Sequence, residues 1–127
     1  MPHLIIEYTD NLKEETNIPL LLEKVNNALL SHSNLIPIGG LRSRAIELKD
    51  YRVADGSEDD AFVHATLKLG SGRSEEAKKA LCDDLFQAIK DHFADIYEKR
   101  YLALSLELFE FTAPTYKLNN IHTRYKR

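Results

Sequence analysis

Proline at position 2, directly after Met1, gives this chain one group with uncommon chemistry. A small second residue permits removal of the initiator methionine, leaving a secondary amine at the chain end. An α-amino group titrates near about 7.7–8.0, and burial or nearby guanidinium charge lowers that value, so Pro2 can stand as a neutral base at physiological pH. Such a base suits proton abstraction. Cations that could hold an acidic substrate occur in two places. Arg73 ends the turn Gly70, Ser71, Gly72 just before a helix start at Ser74, where backbone N–H groups and a planar guanidinium suit a carboxylate. Arg42 and Arg44 occupy alternate positions of an extended segment, project from one sheet face, and can grip a second carboxylate. Each feature also has a plainer reading: a commonplace Met-Pro start, a turn with a solvated arginine, and surface charges on a strand.

Other reactive residue types add less. His3 and His64 occupy matching places in the two halves of the chain, but a histidine pair without a nearby third ligand reads as structural, and no metal is expected. The single cysteine, Cys82, excludes an internal disulfide and reads as a small buried residue in a reducing compartment. Tyr8, Tyr51, Tyr97 and Tyr101 can line a pocket or an interface, and the sequence does not choose between them. With 17 basic and 20 acidic side chains and a net charge of −3, the chain offers no overall positive field for nucleic acid or anionic lipid. The basic segment His122 to Arg127 reads as a solvated tail. Absence of a secretory signal pattern and of any apolar run near the roughly 20 residues that span a bilayer points to a cytoplasmic protein.

The elements that must position these residues follow from periodicity. His3 to Tyr8 alternates as a first strand, beginning almost at the amine. Pro19 and the stripe Ile18, Leu21, Leu22, Val25 and Leu29 predict a helix from Asn17 to about His32. After the loop at Pro37 to Gly40, Arg42 to Val53 reads as a second strand, and Phe62 to Leu69 as a third. Ser74 as N-cap, with Glu75 and Glu76 in the first turn, opens one long helix to about Lys99. Leu102, Leu104, Leu106 and Leu108 mark a last strand that ends near Pro114.

The order β-α-β-β-α-β makes residues 1–127 one α/β (α+β) domain. A shift of about 61 residues sets His3 on His64 and Arg42 to Val53 opposite Ala103 to Pro114, so the chain reads as two fused β-α-β units, at about 2–60 and 61–115. Right-handed parallel crossovers place both helices on one face of a four-stranded sheet. The other face is then expected to be an exposed apolar surface that association with further copies would cover.

Pro2-His3, Lys24-Val25-Asn26, Arg42-Ser43-Arg44, Val53-Ala54-Asp55-Gly56, Ala61-Phe62-Val63-His64 and Gly72-Arg73-Ser74 together resemble the 5-carboxymethyl-2-hydroxymuconate isomerase family. The likeness continues through Leu85-Phe86, Ile89-Lys90, His92-Phe93 and Leu102-Ala103-Leu104-Ser105, and covers nearly the whole chain. The second half also resembles the smaller 4-oxalocrotonate tautomerase, whose unit begins with a catalytic proline and carries an arginine ten residues later. Here those parts are divided: Pro2 has Leu12 at that spacing, and Arg73 has Val63 in the place of the proline.

The resemblance implies a tautomerase fold, a homotrimer with sites near subunit boundaries, and no cofactor. It implies a keto-enol isomerisation of 5-carboxymethyl-2-hydroxymuconate in homoprotocatechuate breakdown. On that footing Pro2, Arg73 and Arg42 are the expected catalytic residues, with Arg73, Arg42 and Arg44 binding the anionic substrate. Two rivals stand beside this reading. One is a non-catalytic trimeric binding protein of the same fold, or a tautomerase of another enol acid. The other is a ferredoxin-like RNA-binding module with the same element order, disfavoured because strand three offers only Phe62, preceded by acids, as a stacking aromatic.

Overall fold

In the computed structural model, which describes residues 1–125, four strands form one mixed sheet in the order β2-β1-β3-β4. The strands are β1 (His3–Thr9), β2 (Arg42–Leu48), β3 (Ala61–Gly70) and β4 (Leu102–Phe111). Helix α1 (Ile18–Leu30) crosses from β1 to β2, while α2 (Glu75–His92) and the short α3 (Ala94–Lys99) cross from β3 to β4. Both crossovers join parallel neighbours, and the two β-α-β units meet through the antiparallel pair β1–β3.

Alternation decides which face is dry. Leu4, Ile6 and Tyr8 on β1 and Ala61, Val63, Ala65, Leu67 and Leu69 on β3 are buried in one cluster with Leu21, Val25 and Leu29 of α1 and Leu81, Leu85 and Ile89 of α2. Both helices therefore cover the same side of the sheet. Asn17 caps α1 by accepting a hydrogen bond from the Leu20 amide, with Pro19 in the first turn. Ser74 does the same for α2 through the Ala77 amide, with Glu75 and Glu76 at the positive end of the helix dipole.

Four expectations need correction. Strand β2 stops at Leu48, because Tyr51, Arg52 and Asp55 are drawn into loop contacts: Tyr51 donates to Asp10, and Arg52 donates to the Asp55 carbonyl. The long second helix breaks at Phe93, whose fully buried ring holds the backbone at φ −97°, ψ 9° between α2 and α3. The repeat is also offset. Arg42 stands beside His3, whereas His64 stands beside Ser105, so Arg42 corresponds to Ser105 rather than to Ala103.

The uncovered face, finally, is not an apolar sheet. It alternates into Arg42 and Arg44 on β2, His3 and Glu7 on β1, His64, Thr66 and Lys68 on β3, and Ser105 and Glu107 on β4, with Ile5, Ile46 and Phe109 among them. His64 bonds Ser105 Oγ at 2.6 Å and Glu107 at 3.0 Å, a polar ladder across two strands. A demand to bury hydrocarbon therefore does not by itself explain association through this surface.

Candidate active site

Strand direction gathers the predicted residues. The parallel β1–β2 pair puts Arg42, the first residue of β2, beside His3, and the Arg42 amide extends the ladder by donating to the Pro2 carbonyl at 3.1 Å. The antiparallel β1–β3 pair puts the end of β3 beside the start of β1, since His3 lies opposite Lys68. The turn after Gly70 thus delivers Arg73 to the same end of the sheet as Pro2. Three segments far apart in sequence converge there because two strand starts and one strand finish coincide.

The loop from Leu35 to Gly40 fixes both guanidinium groups. Arg73 donates to the Gly70 carbonyl at 2.9 Å and to the Leu35 carbonyl at 2.7 Å, leaving its buried Nε–H without a protein acceptor. Arg42 donates to the Gly40 carbonyl at 2.9 Å and approaches the Met1 sulfur at 3.5 Å. Such bonds orient the planar forks while leaving N–H donors for an anion. Arg44, two residues further along β2, lies instead against His3 Nδ1 at 3.1 Å. Burial first, and then the charges of Arg44 and Arg42, lower the His3 pKa, so His3 is neutral near pH 7.

The α-amino group, here that of Met1, shares this electrostatic setting. Burial lowers its pKa from 8.0, and the charges of Lys117, Arg73 and Arg42, in decreasing order, lower it further. Every cause disfavours the protonated amine. Pro2, the next residue, is buried, and its Cδ lies 3.7 Å from the point a Cβ on Gly40 would occupy.

Lys117 and the tail around it were missed by sequence reasoning. Asn119 donates to the Gly39 carbonyl at 2.8 Å, and His122 packs so closely that a Cβ on Gly39 would stand 2.6 Å from its Nδ1 and 2.8 Å from its Cα. Of the segment read as solvated, His122 is docked on the loop that holds both arginines, while Thr123, Arg124 and Tyr125 are exposed; Lys126 and Arg127 lie outside the described residues. The adjacent Gly39 and Gly40 were the available signal, because paired glycines away from a tight turn often mark close backbone approach.

The remaining candidates fall elsewhere. Cys82 is half-buried, and burial raises its thiol pKa. Tyr51 bonds Asp10 and Tyr8 is buried near the opposite end of β1, while Tyr97 and Tyr101 line an open hollow of about 420 Å³ with Arg100. A neighbouring hollow of about 770 Å³ is bordered by Glu15, Glu58, Asp59, Asp60 and Asp95 against only Lys99 and Arg100. That acidic rim would repel a polycarboxylate, so the cationic end at Pro2 is the better candidate. Among the described residues, no group of three or more His, Cys, Asp or Glu side chains converges on a metal position.

Residues 2–125 match the family model for 5-carboxymethyl-2-hydroxymuconate isomerase. The chain belongs to that family. A 5-carboxymethyl-2-hydroxymuconate Delta-isomerase of Escherichia coli is 44% identical over 128 residues, spanning 99% of this chain and 100% of the relative. The crystal structure of a 5-carboxymethyl-2-hydroxymuconate isomerase from Deinococcus radiodurans R1 is 52% identical and superposes with a TM-score of 0.94, covering 99% of this chain and 95% of that one. More distantly, a fused 4-OT symmetric trimer shares the fold, with a TM-score of 0.63 at 19% identity over 88% of this chain and 85% of that one. The four-stranded mixed sheet with its two main helices is the fold shared with these structures.

Proposed function

We propose that this isomerase converts 5-carboxymethyl-2-hydroxymuconate to its 2-oxo-3-ene isomer, with the imino nitrogen of Pro2 as the base after Met1 is removed. The neutral nitrogen accepts the proton of the 2-hydroxyl. The oxygen lone pair then forms the carbonyl, the diene contracts to one alkene at C3–C4, and the protonated pyrrolidine nitrogen of Pro2 returns a proton to C5. No electron is gained or lost overall, so the reaction requires no redox group. Arg73 and Arg42 hold carboxylates and stabilise the oxyanion that develops at C2, and Arg44 takes a more distant part in substrate binding.

The observation that carries this reading is the convergence of Arg42 and Arg73 on the start of the chain, where burial and the charges of Lys117, Arg73 and Arg42 lower the pKa of the Met1 amine adjoining Pro2. The fold shared with a symmetric trimer supports a homotrimer in which a neighbouring copy completes the site. The substrate places the protein in the cytoplasmic breakdown of homoprotocatechuate.

The decisive comparison uses protein whose mass confirms loss of Met1 and protein acylated at Pro2, assayed by the loss of dienol absorbance. The processed form is expected to turn over, with a rate that rises with pH through a pKa below the usual amine value as the nitrogen loses its proton. The acylated form should be slower by roughly 10²–10⁴. Equal turnover by the two forms would refute Pro2 as the base, and no turnover by either would leave a binding protein of the same fold as the better account.

A further inference from the structure

The proposed substrate carries three carboxylates: two from the muconate chain and one on the carboxymethyl arm. Arg42 and Arg73 account for two of them. The strand β4 ends at Phe111 beside Gly70, already at the Pro2 end of the sheet, and the chain that follows is fastened there at two points. Asn119 donates to the Gly39 carbonyl, and its own side-chain oxygen accepts from the Ile121 amide at 2.8 Å, locking the turn that presents His122. His122 lies on both Gly39 and Gly40, with its Cε1 3.5 Å from a Cβ position on Gly40, itself 3.7 Å from Pro2 Cδ. The same short loop therefore holds Arg73 through Leu35, Arg42 through Gly40 and the tail through Gly39.

Lys117 precedes the first of these fastenings by two residues, within about 7 Å of extended chain. Its side chain is exposed and has no ion-pair partner among the described residues. An unpaired ammonium carried two residues before a segment fastened to the loop that orients two guanidinium groups adds like charge to this end of the sheet, which disfavours stability but suits a polyanion. Of the three cations it acts most strongly on the terminal amine.

We infer that Lys117 is a third carboxylate-binding residue of the site, held at the Pro2 end by the docked segment from Asn119 to His122 and matched to the additional carboxylate of a tricarboxylate substrate. This rests on the functional reading above and deepens it. Asn119 and His122 are positioning residues in this scheme, acting through Lys117 and through the loop that carries the two arginines.

The test uses full-length processed protein, with Lys117→Ala and Lys117→Arg compared with the unmodified chain. Lys117→Ala should raise KM for the tricarboxylate dienol by about tenfold to a hundredfold, with much less change in kcat, as expected for loss of a bond between charged groups. For the dienol lacking the carboxymethyl arm the same substitution should have little effect, and Lys117→Arg should restore most of the affinity. Two further readouts do not depend on turnover. Titration of the Pro2 nitrogen by NMR should give a higher pKa in Lys117→Ala, and calorimetry should show weaker binding of propane-1,2,3-tricarboxylate. Failure of the unmodified protein to isomerise the dienol would count against the functional reading, while these two measurements would still decide the placement of Lys117. An unchanged amine pKa together with equal tricarboxylate affinity, including no affinity in either protein, would overturn the inference.

Discussion

Arg73→Ala removes a side chain that does two jobs, and the structure gives a size for each. The guanidinium donates to two backbone carbonyls, those of Gly70 at 2.9 Å and Leu35 at 2.7 Å. Hydrogen bonds from charged donors contribute roughly 1.5–3 kcal/mol each, and the half-buried setting places this pair near the lower end, so a loss of about 2–3 kcal/mol in unfolding free energy is expected. The catalytic loss is separate. Removal of one oriented donor to a developing oxyanion costs about 10²–10³ in rate, and the missing positive charge also raises the amine pKa, leaving less neutral base near pH 7. Arg73→Lys keeps the charge but not the fork, and it should recover the pH dependence more fully than the rate. Denaturant unfolding measures the first effect, and kcat/KM for dienol loss across pH measures the second. A folded Arg73→Ala protein with kcat/KM near that of the parent, and an unmoved acid limb, would refute the assignment of Arg73 to the site.

Two other perturbations test the fold around the site. Ala54 sits at φ 52°, a left-handed conformation that costs a residue with a Cβ about 1 kcal/mol, so Ala54→Gly should stabilise the chain by about 0.5 kcal/mol after the extra backbone entropy of glycine is subtracted, read as a higher denaturation midpoint. His92 is partly buried, donates from Nε2 to the Thr16 carbonyl, and has its pKa lowered from 6.5 by burial first and by the nearby Lys24 charge in smaller measure. The unfolded chain then takes up the proton before the folded one does. Stability should be full above about pH 6.5 and should fall as pH drops through the interval down to the lowered folded-state value, and His92→Gln should flatten that part of the profile while keeping a donor for Thr16. Denaturation midpoints compared above and below the interval check the sign.

Much of the framework was legible because period and polarity agree in the sequence. Leu4, Ile6 and Tyr8, and the odd-numbered residues from Val63 to Leu69, alternate without interruption, and Ser74 with two following glutamates is an unambiguous helix start. Tertiary demands decided the rest. Val53 has strand-like composition, but its carbonyl accepts from the Gly56 amide in a turn; Phe93 fits a helical stripe, but its complete burial breaks the helix axis. The outer sheet face departs from the apolar surface expected because the leucines of β4 point toward the helices and the intervening Ser105 and Glu107 face outward. Pro2, Arg42 and Arg73, which the structure gathers at one end of the sheet, could be proposed in advance because each has a rare backbone or charge setting. The docking of Asn119 and His122 on Gly39 and Gly40 could not, since a polar segment near a chain end has no local pattern.

The far end of the sheet, where β1 finishes and β3 and β4 begin, shows what the fusion of two units has permitted. By the pseudo-symmetry it is the counterpart of the Pro2 end, yet Leu12 and Val63 occupy the positions of the arginine and the proline. Arg100 is spent there on tying Asp59 and Asn11 together. A self-paired assembly of identical short units would repeat its reactive corner at both ends and bind every one of them to the same mutation. In one chain with two unlike units the corners are free to differ, so on the proposed reading the Pro2 corner serves turnover while its counterpart, held by Arg100, serves as a structural clasp.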